Sequence, residues 1–482
     1  MELLGALLAV LGFIGLAKAF DLLERNLKVI QVTRSALSVL GDKTLDDLQK
    51  EKALQKNAAV LLRLFLEVTG TSLLALGIPL GLVWAMDAFD LLSWDGVLST
   101  LTSTWFILAA LGFSIIYLFL TRAQREDSTR HTSTEQSLHN LAFETWFPRL
   151  PLAKFESWLN KKQLADISAD RPVFITALPR AGTTLTLEIC AGLDEFATHI
   201  YGDMPFLLTP VFWDRFSKNF KVSGELSERV HGDGVLVNED SPESFEEILW
   251  KEFWPSYYKK SRILPWSETP YPDFEIFFRD HMRKIILLRR SEERQCRYIS
   301  KNNQNIARIG YLASTFPDST ILILYRSPVQ HAASLLKQHR NFLRIHTEDS
   351  FAHKYMEDTG HFDFGKNLRP VDFKGWLAKE GHPDPDSLEF WLLYWINTYR
   401  YLLNGRMSQV RFFSFDDLCA DPQSELERLG EILEVKDTAP LLNSAVRIRK
   451  PKPHHVDRET VTPSILERAE VLYRELQTAS SS

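Results

Sequence analysis

Cysteine is scarce in this chain: Cys190, Cys296 and Cys419 are the only three in 482 residues. None has a partner at metal-ligand spacing, and an odd number suits no disulfide framework. A reducing compartment is the simpler reading. Net charge is also small. The formal value of -6 at pH 7 argues against a general nucleic-acid binder. A third absence lies in the segment Phe174-Ile-Thr-Ala-Leu-Pro-Arg-Ala-Gly-Thr-Thr-Leu. The triphosphate pattern G-x-x-x-x-G-K-[ST] would need Gly at Ala177 and Lys at Thr183. Without them a triphosphate hydrolase is disfavoured, and so is a P-loop kinase acting on a small molecule.

What that segment does contain is a short buried strand, a small-residue polar loop and a helix start. The free N–H groups of a first helical turn, with the helix dipole behind them, make an anion cradle. Arg180 adds a cation, and Thr183 and Thr184 add hydroxyls.

Charge is missing in a second way. Residues 3–20 are apolar except for Lys18, residues 68–86 are uncharged, and residues 101–120 carry no charge at all. Each approaches the roughly 20 residues that cross a bilayer core. A signal peptide at the start would want a basic n-region, and the chain opens with Glu2. Three membrane helices are predicted, with two as the alternative. Lys and Arg cluster between the first two runs and after the third, whereas Asp87, Asp90 and Asp95 lie between the second and third. Basic flanks face the cytoplasm, which puts everything after Leu120 on that side. Residues 22–56 read as a cytoplasmic helical hairpin broken at Gly41-Asp42, and residues 121–169 as a polar and aromatic connection.

Beyond it, the apolar runs 173–176, 320–325 and 410–415 read as buried strands separated by helical stretches. This predicts an α/β fold with a mostly parallel sheet, whose ligands sit at the carboxyl ends of the strands. Arg326 ends the second run, Pro328 suits a first helical turn, and Ser334 follows two turns later. Arg180 and Arg326 would then face one edge.

Taken together, Pro179-Arg-Ala-Gly-Thr-Thr-Leu and Arg326…Ser334 resemble a sulfotransferase that uses 3′-phosphoadenosine 5′-phosphosulfate (PAPS). The resemblance runs from about Pro172 to Thr462 and is nearest to the bacterial and tyrosylprotein-like branch. It includes Phe316-Pro-Asp-Ser and Phe413-Ser-Phe-Asp-Asp-Leu-Cys-Ala-Asp-Pro. Ser327 stands where Asp or Asn is frequent. The resemblance implies a P-loop-like parallel sheet flanked by helices, with PAPS as co-substrate and no metal. Arg180, Ala181, Gly182, Thr183, Thr184 and Leu185 would hold the 5′-phosphosulfate, and Arg326 and Ser334 the 3′-phosphate. Lys301 would stand at the oxygen between phosphate and sulfate.

The general base is left open between Asp203 and the pair His231 and Asp233, the latter in a Gly-flanked turn. The run from Asn238 reads as a helix start capped by Ser241, with Asp240 or Glu243 as further carboxylates near the acceptor. The late cluster Arg447, Arg449, Lys450 and Lys452 fits either a loop over the 3′-phosphate or a contact with anionic lipid. The expected organisation is a membrane region over 1–121, a juxtamembrane connection over 122–170 and a sulfotransferase domain over 171–482. The expected protein is a multi-pass integral membrane enzyme of a bacterial inner membrane, with its catalytic domain cytoplasmic. Its partners would be the bilayer and a hydroxyl-bearing lipid or glycan acceptor, not nucleic acid. A non-catalytic membrane scaffold is the remaining alternative.

Overall fold

The computed structural model describes residues 2–22, 25, 28–29, 32, 47–89, 91–103, 106, 139–140, 142–143, 149–217, 227–228, 236–237, 240–243, 245–290, 296–456 and 461–481. Two compact units divide the chain, Met1–Thr134 and Glu135–Ser482.

In the first unit, helices Glu2–Ala19, Asp47–Asp87 and Trp94–Thr102 pack on one another. Ala6, Ala9, Val83 and Val97 form their small core. The contact is close: a Cβ on Gly5 would press into Val97 and Leu92. Among the described residues one helical stretch, Val60–Asp87, is long and apolar enough to cross a membrane. Leu62, Phe65, Leu66, Leu73 and Trp84 point outward from it. The apolar part of the first helix, Gly5–Ala17, is shorter.

Two expectations change here. The second arm of the predicted hairpin runs without a break into the 60–87 stretch, as one helix from Asp47. The helix holding Leu101 stops at Thr102, where the Ser103 N–H turns back to the Thr100 carbonyl. Most of the predicted span 101–120, like Gly41-Asp42, lies outside the described residues. Among the described residues one helix long enough to span is therefore found; three were expected, and the third of them falls mostly outside those residues.

The second unit is built on a five-stranded parallel sheet. Its strands are β1 (Val173–Thr176), β2 (Phe196–Ala197), β3 (Arg297–Lys301), β4 (Thr320–Tyr325) and β5 (Val410–Ser414). The order is β2-β3-β1-β4-β5, so β1 is central and the order reverses around it. Successive residues enter opposite cores. Phe174, Ile321 and Ile323 face one cluster, while Val173, Ile175, Leu322 and Leu324 face the other. Burial on both faces is why β1 and β4 read as unbroken apolar runs. Two short antiparallel strands, Ser227–Glu228 and Leu236–Val237, stand apart from this sheet. The α/β class and the three predicted strands are found. Strands β2 and β3 were not foreseen.

Candidate active site

The loop after β1 is set by backbone conformations that few residues adopt. Arg180 has φ of 71° and Gly182 has φ of 87°. Gly182 caps the helix Thr183–Ala191 in the left-handed region. A Cβ at Gly182 would overlap the Phe415 ring. Glycine is needed here for both its φ and its missing side chain. The first-turn N–H groups, with Thr183 and Thr184, then open toward a cavity.

The turn after β4 is tied to this loop. An Arg326 Nη donates to the Arg180 carbonyl at 2.8 Å, and His331 Nε2 donates to the Pro179 carbonyl at 2.7 Å. Burial, helped by the nearby Arg326 charge, pushes the His331 pKa down to about 3. The ring is therefore neutral, with its proton on Nε2 as that donor. Arg326 itself is buried, lies over the Phe415 ring, and has Asp416 at 3.9 Å from its Nε. Burial opposes its charge and Asp416 supports it. Asp416 also accepts the Ser327 N–H at 2.6 Å and the Tyr473 hydroxyl at 3.2 Å. The Ser327 departure thus falls on a residue held through its backbone.

Lys301 ends β3 and is buried. Behind it, Glu247 accepts two bonds from Arg308, at 2.9 and 2.7 Å, one from Asn302 at 2.8 Å, and one from the Tyr258 hydroxyl. Arg308 is stacked between Trp250 and Trp266. For an ion pair so enclosed, the cost of desolvating both charges offsets much of their attraction, while loss of one partner would strand the other. Here the pair fixes the turn that carries Lys301 and Asn303. Thr183 Oγ1 donates to Asn303 Oδ1 at 3.4 Å, a weak contact that reaches back to the first loop.

These elements meet at one cavity of about 420 Å³. Arg180, Gly182, Thr183, Thr184, Leu185, Lys301, Arg326 and Ser334 all line it. Ala181 is fully buried in the loop and is not among the lining residues. Asp203 is also buried and away from the lining. Its carboxylate is engaged by Arg289 and accepts the Ile200 N–H at 2.9 Å. His231 and Asp233 lie outside the described residues.

A different set of side chains supplies the acidic part of the wall. Glu243, His361 and Asp363 line it together with Phe342, Met356 and Phe364. Glu243 accepts from the Tyr201 hydroxyl. The predicted helix start at Ser241 is not found: Pro242 pairs with Ile200 as an isolated β-bridge, and the helix begins at Glu247. Extended backbone at 242–243 is what turns Glu243 into the cavity instead of spending it on a helix terminus. Asp363 accepts from Gln304 at 3.0 Å and Asn303 at 3.4 Å. Burial raises its pKa to about 6, against the pull of Lys301.

The late basic segment divides. Arg447 pairs with Glu188 at 2.9 Å, whereas Pro451, Lys452 and His454 line the cavity. The His454 backbone is clamped by Gln330, which accepts its N–H at 2.7 Å and donates to its carbonyl at 3.2 Å.

The family model described as "Sulfotransferase family" matches residues 172–363. Comparison with curated proteins gives no match. Among solved structures the chain is similar to sulfotransferase STF1 from Mycobacterium tuberculosis H37Rv, at 13% identity and a TM-score of 0.36, covering 67% of this chain and 82% of that one. It is also similar to sulfotransferase STF9 from Mycobacterium avium, at 12% identity and a TM-score of 0.36, covering 77% and 94%. The matched residues 172–363 run from the start of β1 to the Asp363 wall of the cavity, so the match to the sulfotransferase family model covers most of the elements that build this cavity and supports sulfuryl transfer as its chemistry.

Proposed function

We propose that this enzyme moves the sulfuryl group of PAPS to a hydroxyl of a lipid, a lipid-linked sugar or a glycan, while attached to a membrane. The observation that carries the reading is the single cavity into which Arg180, Thr183, Thr184, Lys301, Arg326 and Ser334 all open. PAPS has two anionic groups, and Arg180, Lys301, Arg326 and Lys452 give the cavity a cationic lining. The 179–185 loop holds the 5′-phosphosulfate through first-turn N–H groups, the threonine hydroxyls and Arg180. Arg326 and Ser334, with Lys452 from the late loop, hold the 3′-phosphate.

Sulfuryl transfer depends on alignment and on stabilising charge where it develops. The acceptor oxygen attacks sulfur in line with the bridging oxygen. As the new S–O bond forms, the bond from sulfur to the bridging oxygen breaks, and adenosine 3′,5′-bisphosphate leaves. Lys301 carries the charge that meets the departing phosphate. Glu243 takes the acceptor proton, in place of Asp203, whose carboxylate is committed to Arg289. The Glu247–Arg308 pair holds the Lys301 turn still.

Membrane attachment is supported by the outward apolar face of the Val60–Asp87 stretch. The charge of the flanking sequences favours a cytoplasmic catalytic domain, the side on which PAPS is made. In this reading residues 1–121 anchor, 122–170 connect and 171–482 catalyse. Calorimetry of the full chain tests the nucleotide: adenosine 3′,5′-bisphosphate should bind and ATP should bind far more weakly. Tight ATP binding with no heat from the bisphosphate would favour the kinase reading instead.

A further inference from the structure

A plate of exposed aromatic side chains sits on the second unit, formed by helices Arg149–Leu159 and Pro210–Ser217. On the first helix Phe155, Trp158 and Leu159 are 51%, 68% and 53% exposed, and on the second Phe216 is 46% exposed. The spacing i, i+3, i+4 puts the first three on one helical face. The rings also touch: Phe155 stacks on Trp158 at 5.8 Å, reaches Phe212 at 6.2 Å, and Trp213 meets Phe216 at 5.8 Å. The ring contacts join these exposed side chains into one patch, unlike apolar residues exposed singly.

The plate is rigidly mounted. Glu156, on the opposite face of its helix, is buried with Lys284 at 2.9 Å, and its other oxygen accepts the Phe212 N–H at 2.6 Å. Lys284 also donates to the Ala153 carbonyl at 3.0 Å. Asn160 accepts from Arg215 at 3.0 Å. One buried ion pair and one amide therefore lock the two helices edge to edge, with their rings outward. On and just beyond these two helices, Lys154, Lys161, Lys162 and Arg215 are exposed, against Asp166 and Asp214.

From this we infer that the plate is a membrane-docking surface that lays Phe155, Trp158, Leu159 and Phe216 into the headgroup region of an anionic bilayer. Trp and Phe over an apolar base, with lysines on and just beyond the same helices, match the chemistry of the membrane–water interface. These basic residues complement anionic headgroups specifically. The inference rests on the membrane attachment proposed above. Its use would be to hold the catalytic unit against the bilayer, as a lipid or lipid-linked acceptor requires.

The full chain, with Cys296→Ser and Cys419→Ser, is placed in phosphatidylcholine nanodiscs containing phosphatidylglycerol. A nitroxide is attached at Trp158→Cys or, as an aqueous control, at Ile276→Cys, whose side chain is 64% exposed elsewhere on the unit. Docking predicts that the label at 158 collides with oxygen and is shielded from a water-soluble nickel chelate, while the label at 276 stays fully accessible to nickel. Lys154→Glu, Lys161→Glu and Lys162→Glu together should return the label at 158 to water. Equal nickel access at both positions, with the chain still in the disc, overturns the docking surface alone. Dipolar broadening at 158 would assign the plate to a second copy of the chain and also overturn it. A chain that does not stay with the disc overturns the membrane attachment as well.

Discussion

Arg326 donates to the main-chain carbonyl of Arg180 at 2.8 Å, across 146 residues of sequence. The contact joins the turn after β4 to the loop after β1, so the two proposed anion sites behave as one rigid piece. It also helps hold Arg180 at a positive φ, a conformation that persists when surrounding structure enforces it. Arg326→Ala should weaken adenosine 3′,5′-bisphosphate binding by about 2–4 kcal/mol. Arg326→Lys should recover little of this, because an ammonium cannot present the planar fork that serves a carbonyl and an anion together. Calorimetry on both variants checks the point. Full affinity in the lysine variant would mean that the loop-to-loop contact is dispensable.

Gly182→Ala is expected to damage the site more than its size suggests. The left-handed backbone at 182 costs a side-chain-bearing residue roughly 1–2 kcal/mol, and the new methyl would overlap the Phe415 ring. Phe415 lies under Arg326, so relieving the overlap should shift the second anion site as well. Both the melting temperature and bisphosphate affinity should fall. Loss of stability with unchanged affinity would separate the loop from the ligand.

Asp363 gives donor binding a pH dependence. Its pKa in the fold is raised to about 6, so it carries negative charge near Lys301 above that pH and little below it. An anionic ligand in the same cavity favours the neutral form. Bisphosphate affinity in the wild type should therefore gain, as pH falls from 7.5 to 5.5, relative to Asp363→Asn measured in parallel. The parallel variant removes the ligand's own titration from the comparison. Identical profiles would show that Asp363 does not face the bound anions. The folding linkage has the same direction: a raised carboxyl pKa lowers stability as pH rises from about 4 to 6, and the asparagine variant should lack that component.

Buried histidines produce the opposite slope. Burial holds His199 and His331 down to about 3 and His346 down to about 4, and His281, hydrogen-bonded to His199 at 2.8 Å, well below the ordinary value. The unfolded chain takes up protons on these residues below pH about 6.5 while the fold does not. Their contribution is complete above that pH and is lost as pH falls, by up to about 1.4 kcal/mol per pH unit for each. Unfolding free energies at pH 6.5, 5.75 and 5 should drop steeply, and His281→Phe should flatten the trend. A flat wild-type profile would mean that these rings are hydrated.

The parts of the fold that were legible follow from burial on both faces. β1 and β4 show uninterrupted apolar runs because each residue enters one core or the other. β3 hides because it is bounded by Arg297 and Lys301, one half-exposed and one serving the cavity, and β2 is only two residues long. The two anion loops were legible because each places an arginine close after a strand end, with hydroxyl residues following in the next helix. The acidic wall was legible only in part: Glu243 was expected, beside Asp240, as a carboxylate near the acceptor, whereas Asp363 was not singled out. Glu243 and Asp363 come from separate segments with no shared spacing, and Glu243 sits in a stretch whose Ser-Pro-Glu pattern imitates a helix start. The β-bridge between Ile200 and Pro242 pairs that stretch in place of a helix start. Asp203 was attractive for its distance from the loop, but Arg289, which neutralises it, lies 86 residues away in sequence.

Glu243 and Lys301 give the proposed chemistry two separable handles. Glu243→Gln should lower turnover by roughly 10²–10⁴-fold, the usual range for a lost proton acceptor, and leave bisphosphate affinity near wild type. Asp203→Asn should act mainly on stability, through Arg289. Turnover lost in Asp203→Asn but kept in Glu243→Gln would return the base to position 203.

The most direct measurement is transfer of label from [³⁵S]PAPS by the full chain into lipid and glycan extracts, with [γ-³²P]ATP in parallel. Sulfur label should enter an extracted acceptor as adenosine 3′,5′-bisphosphate appears in equal amount, and Lys301→Ala should abolish both. Phosphorus label entering the extract, with PAPS left intact, would contradict the account.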